Sequence, residues 1–286
     1  MKHINNNTEL PVLLPFTLRA REPFSLTRLT SRHGVLLAVA LFLLPAALLP
    51  VGAAAQAPVA PVSIVATILQ WTPLIARGFA LNIAISFLAM AIGTLAGLVL
   101  GLGLISLRRP VRTSSWLVTQ FFRNAPWLVL LFYCMLMLPF ELRIGSIVIP
   151  LPDWIKATFG LALPVMANMA ELVRGAIQSI PYGQWESAEA LAFTRCQTLW
   201  MIILPQCVKR MLPPWMNLYA ILTVATPLCS IVGVNEAMTL TGDALASINR
   251  HEMLVPMYLY LLTWFFIYCY PIARATVALE RRFAVA

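Results

Sequence analysis

Charge is what this sequence has least of. Of its 286 residues only 11% are Asp, Glu, Lys or Arg, while 60% are hydrophobic, and the mean hydropathy is +0.82. An ordinary soluble domain carries about a quarter of its residues charged. Such a composition excludes a water-solvated globule and describes a polytopic membrane protein. Lysine is nearly absent, occurring only as Lys2, Lys156 and Lys209, and no G-x-x-x-x-G-K-[ST] run exists, so the chain lacks the phosphate cradle needed to hydrolyse ATP alone. His3, His33 and His251 are scattered, and Cys134, Cys196, Cys207, Cys229 and Cys269 form no C-x-x-C pair. Metal, cofactor and disulfide frameworks therefore have no support, and the thiols read as reduced packing residues. No serine stands in a nucleophile-elbow context. The net charge of +9 could suggest nucleic acid, but the bases lie beside apolar runs, where a positive-inside bias explains them, and no nucleic-acid partner is expected.

What is present is a series of apolar runs with polar punctuation. Residues 1–33 are basic, and 34–55 form an uncharged run long enough to span a bilayer. That run reads either as an uncleaved anchor or as a leader with a small-residue cleavage region; both place residue 56 outside. Residues 56–77, with Pro58, Pro61 and Pro73, are expected to be an external or interfacial segment. A span follows over 79–107, with Gly93, Gly97 and Gly101 at four-residue spacing to receive a neighbouring helix. Arg108, Arg109 and Arg112 mark the cytoplasmic side, 116–139 returns outward as one span, 140–156 is an outer loop, and 157–177 is the fourth span. Further spans are expected over 215–235, kinked by Pro227, and over 254–273, with 236–252 an outer loop between them. The fold class is thus all-α, with about six transmembrane helices and both termini inside.

Two places carry more than packing. Asn168, Glu171 and Arg174 recur every three residues on one face of the fourth span, and ionisable groups at membrane depth are costly enough to suggest function, although Glu171 and Arg174 could also simply pair near the inner interface. Arg123 lies in the first third of the preceding span. The other place is the polar island 178–214, too long for a mere connector. Its first half, 184–193, reads as a short helix with Trp185, Ala188 and Ala192 on one face. Thr194 and Gln197 then form the T-x-x-Q pattern of a capping box, which predicts a second helix running until Pro205 interrupts it. A docking element and a solvated loop with incidental amphipathicity both fit this pattern.

The island resembles the EAA loop of the permease subunits of ATP-binding cassette importers, in the polar amino-acid uptake branch. That loop reads E-A-A, three residues, G, nine residues, I-x-L-P. Here Glu186, Ser187 and Ala188 stand first, Ala192 at the glycine, and Ile202, Leu204 and Pro205 at the end, with no gap. FFRNAPWLVLLFY at 121–133 and AELVRGAIQSIP at 170–181 are similar to two further motifs of the branch. The resemblance covers about residues 78–282 and implies a five-helix permease core plus one extra N-terminal helix, embedded in lipid of the bacterial inner membrane. It also implies that a second permease subunit, identical or related, completes the pathway, that two separate ATPase subunits receive the EAA helix pair, and that a binding protein outside delivers the solute. Glu186, Ser187, Ala188, Ala192, Thr194, Ile202, Leu204 and Pro205 would then serve docking, and Asn168, Glu171 and Arg123 the substrate path.

The sequence departs from the branch in two places. Ala192 replaces a glycine, which is costly if a positive φ is needed there, and Val224, Ala225 and Pro227 replace the fifth span's usual K-x-T-S pattern. A permease for an opine or other amino-acid-like solute would share every feature above. An integral membrane enzyme would have to use Asn168, Glu171 and Arg174.

Overall fold

The computed structural model describes residues 63–144 and 147–283, so the basic segment 1–33 and the apolar run 34–55 lie outside the described residues. The first helix, α1 (Ile64–Leu104), opens where the hydroxyl of Ser63 accepts the Ala66 N–H at 3.1 Å. Its 41 residues run for about 60 Å at 1.5 Å per residue. Residues 64–77 of the expected external or interfacial segment are therefore helical and continuous with the span that follows, and 56–62 lie outside the described residues. The helix continues through Pro73 because its outer part is held by tertiary burial: Ile75 and Phe79 pack with Ala244, Met257, Leu261 and Phe265.

Gly93, Gly97 and Gly101 meet α4 (Asp153–Gln178) as the spacing predicts. A Cβ at Gly93 would lie 2.5 Å from Val165, at Gly97 2.5 Å from Met169, and at Gly101 2.6 Å from Val173. The two backbones thus touch along three successive turns. On the opposite side of α1, Leu95 and Val99 are exposed, an apolar surface suited to lipid.

The third span is not one helix. It divides into the amphipathic α2 (Arg109–Asn124) and the apolar α3 (Trp127–Met137). Ala125 between them is extended, at φ −73° and ψ 135°, because the ring of Pro126 disfavours helical geometry in the residue before it. The outer loop is also more ordered than an all-α fold predicts. Strands β1 (Glu141–Ile144) and β2 (Ile147–Pro150) pair antiparallel, and the Leu151 N–H closes onto the Phe140 carbonyl at 2.8 Å. Lys156 is fully buried in the first turn of α4, its ammonium 3.5 Å from the centre of the Phe140 ring and 3.2 Å from Asp153.

Out of the polar island runs α7 (Leu204–Ala225), followed by a 3-10 turn, Thr226–Ser230, which Pro227 enters at its start, where the sequence predicts a break. The expected outer loop beyond it contains a helix, α8 (Ala237–Ile248), before the long α9 (Leu254–Phe283). Glu236 builds α8. Wholly buried, its carboxylate accepts the Met238 and Thr239 N–H groups at 3.0 Å and the Asn82 amide of α1 at 2.8 Å. Asn82 also donates to the Thr226 hydroxyl and accepts the Ala237 N–H, so one amide joins α1, the 3-10 turn and α8.

The described chain is mostly helical. Among the described residues, Ile64–Leu104 and His251–Phe283 are long and apolar enough to cross a membrane by themselves. The other expected spans are interrupted by the α2–α3 break or carry charges, such as Glu171 and Arg174 in α4 and Lys209 and Arg210 in α7.

Candidate functional site

The polar island folds as a helix, a sharp reversal and a second helix. The first, α5 (Tyr182–Ala190), begins after Pro181, two residues earlier than its predicted start. At its end the Phe193 N–H donates to the Ala188 carbonyl at 3.0 Å and the Ala192 N–H to the Glu189 carbonyl at 2.8 Å. This pair of bonds is a Schellman closure, which needs a left-handed residue between them. Ala192 is that residue, at φ 58°. The glycine position therefore does require positive φ, and the chain meets it with alanine.

Thr194 then caps the next helix. Its hydroxyl accepts the Gln197 N–H at 3.3 Å while the Gln197 side chain accepts the Thr194 N–H at 2.8 Å, the reciprocal box read from T-x-x-Q. The helix runs from α6 (Arg195–Gln197) through a π turn, Thr198–Ile203, into α7. Pro205 does not interrupt it, contrary to expectation. Proline is tolerated in the first turn of a helical stretch, where its missing N–H is not needed, and the wider π turn delivers the chain there, with the Leu204 N–H bonded to the Leu199 carbonyl.

Burial sorts the expected docking residues. Glu186, Ser187, Ala192, Thr194 and Pro205 are exposed, and Ile202 and Leu204 are half-buried. Ala188 is only 1% exposed, so its small side chain serves packing within the chain and not an outward contact. Two arginines of the island that carried no role in the sequence reading tie this element to its neighbouring helices. The Arg195 guanidinium donates to the carbonyl of Ile105, the residue that ends α1, at 3.2 Å. That of Arg210 donates to the carbonyl of Ser179, which ends α4, at 2.7 Å and to its hydroxyl at 2.9 Å. Only the fold brings residues 90 and 31 positions apart to these ends.

Glu171 and Arg123, predicted from separate motifs, are brought together. Glu171 lies 2.6 Å from Arg174 and 3.5 Å from Arg123, and it accepts the Gln120 amide at 3.4 Å. With Arg112 and Gln178 they line a polar cleft of about 450 Å³ between α2 and α4. Three guanidinium groups and one carboxylate share that lining, and the break at Ala125 and Pro126 lies just beyond Arg123. Asn168 does not join the cleft lining. Its amide donates to the Pro164 carbonyl one turn back, at 2.8 Å.

Residues 93–284 match the family described as the binding-protein-dependent transport system inner membrane component. An inner membrane amino-acid ABC transporter permease protein of Escherichia coli K12, YhdY, is 31% identical over 206 residues, which cover 72% of this chain and 55% of that protein. The chain thus spans about half the length of that relative. A probable amino-acid ABC transporter permease protein of Bacillus subtilis, YckA, is 34% identical over 166 residues, 58% of this chain and 71% of that one. Among solved structures, a chain of an amino acid ABC transporter crystallised with histidines superposes with a TM-score of 0.67 at 23% identity, covering 77% of this chain and 99% of that one. The inward-facing MetNI methionine ABC transporter gives 0.59 at 18% identity, covering 75% and 97%. The fold is shared with these structures, and the family match extends from the glycine face of α1 to the end of α9: the chain belongs to the inner membrane components of binding-protein-dependent transport systems.

Proposed function

We propose that this chain is the membrane-spanning subunit of an ABC importer for a polar amino acid, working as a dimer with an identical or related permease and driven by two separate ATPase subunits. The observation that carries the reading is the exposed, doubly capped turn of the island, which presents Glu186, Ser187, Ala192 and Thr194 outward while Ala188 and the residues around Ile203 anchor it to the bundle. The Schellman closure and the capping box fix this turn in one geometry, which suits a rigid contact element. Relatives named for amino-acid transport support the solute class. An external binding protein would deliver the solute, and the chain supplies path and coupling without chemistry of its own.

The substrate path would pass the cleft of Arg123 and Glu171. An enzyme reading loses ground there, because Glu171 is held by two arginines and an amide and offers no free base. The test is co-purification from the native cell after gentle solubilisation. An ATPase subunit retained by the parent and lost from Glu186→Arg is the expected result, and its absence from the parent in several detergents would overturn the reading.

A further inference from the structure

Arg195 and Arg210 reach comparable places on two different helices. Each guanidinium reaches the terminal carbonyl of a long helix, Arg195 that of α1 and Arg210 that of α4. A helix end exposes unsatisfied carbonyls and the negative pole of its dipole, so a cation there is held by charge as well as by hydrogen bonds. The two helices so gripped are the pair whose backbones touch at Gly93, Gly97 and Gly101. Both arginines belong to the same continuous helical stretch from α6 to α7, on either side of the π turn.

From this arrangement we infer that Arg195 and Arg210 are positioning residues of the transport cycle, a two-point brace that makes the cytoplasmic ends of α1 and α4 follow the docking turn. A push on α5 and α6 reaches α1 through Arg195 and α4 through Arg210. The packed glycine face keeps the two from sliding past each other. Apolar packing around Ile203, Cys207 and Ile180, with Trp185 of α5 and Leu102 of α1 against it, joins the same parts. The arginines act at its edge, adding charge-assisted hydrogen bonds directed at the two helix ends.

The inference rests on the docking reading above, and the experiment separates the two. The importer is purified with its ATPase subunits, and spin labels are placed on the naturally exposed Cys196 and on Leu107→Cys, in a background with Cys269→Ser. Label distances are measured without nucleotide and with ATP. In the parent the distance is expected to stay narrow and unchanged between the two states. In Arg195→Gln and in the double variant with Arg210→Gln, ATPase subunits stay bound and hydrolysis continues, but the distance broadens and shifts by several ångströms on ATP binding. Arg195→Lys, which keeps a donor and the charge, should restore most of the narrow distribution, and a purely structural defect would not be rescued this way. Glutamine variants that keep the parent's distance in both states overturn the brace and leave apolar packing as the link. A parent preparation with no ATPase overturns the docking reading and the brace with it.

Discussion

Ala192 holds a left-handed backbone that an L-residue with a Cβ adopts at a cost of about 1 kcal/mol or a little more. Nothing in its surroundings removes that cost, since it is exposed at the reversal between α5 and α6. Ala192→Gly is expected to stabilise the purified protein by about 1 kcal/mol in a reversible unfolding measurement. The Thr194 box was legible because its two partners lie three residues apart, whereas the sign of φ at Ala192 depends on how the previous helix closes. Glu236 was not legible at all. It reads as an ordinary loop acid, because Asn82, the partner that explains its burial, lies 154 residues away. Glu236→Ala would leave one of the two Asn82 amide hydrogens and two N–H groups of α8 without an acceptor. A loss of about 2–4 kcal/mol is expected from the cap and the orphaned donors together, measured as a lowered unfolding free energy. Glu171 belongs to the same scale with a different readout. Glu171→Ala should abolish uptake in cells while the ATPase still co-purifies; unimpaired uptake would remove Glu171 from the substrate path.

Among the elements, the junction of α1 and α4 is the one that sequence and structure describe alike. Four-residue glycine spacing is a local signal, and the contact it serves needs only that a second helix be there. Gly97→Leu would press a branched side chain on the Met166 carbonyl and the Met169 stem, where even a Cβ comes within 2.7 Å of backbone. Overpacking of this kind costs about 1–3 kcal/mol, and the variant is expected to show a lowered midpoint of thermal unfolding with reduced yield. The division of the third expected span was carried by Pro126, whose effect on Ala125 was present in the sequence but was outweighed by the apolar run that follows. Pro205 misled in the other direction. A π turn is a whole-helix adjustment, and no single residue announces it.

For the whole molecule, hydropathy was enough to place the chain in a membrane, since the cost of exposing polar backbone to lipid leaves few other arrangements. It could not foresee that outer segments would be helical. Residues 64–77 became α1 and 237–248 became α8 because each buries an apolar face against the other and against α9, a gain that no local window contains. The candidate sites divide in the same way. The capped turn of the island is a stretch of consecutive residues, and its capping box was legible from its own letters. The brace of Arg195 and Arg210, and the cleft in which Arg123 meets Glu171, are assembled across the chain.

The touching backbones of α1 and α4 also bear on how such a chain can change over generations. Where Gly97 meets Met169 and Gly101 meets Val173 there is no spare space for either partner to drift alone. A side chain gained on α1 has to be matched by one lost on α4. Among descendants of this sequence, positions 97 and 169, and 101 and 173, should therefore vary as pairs, with their combined volume more constant than either member.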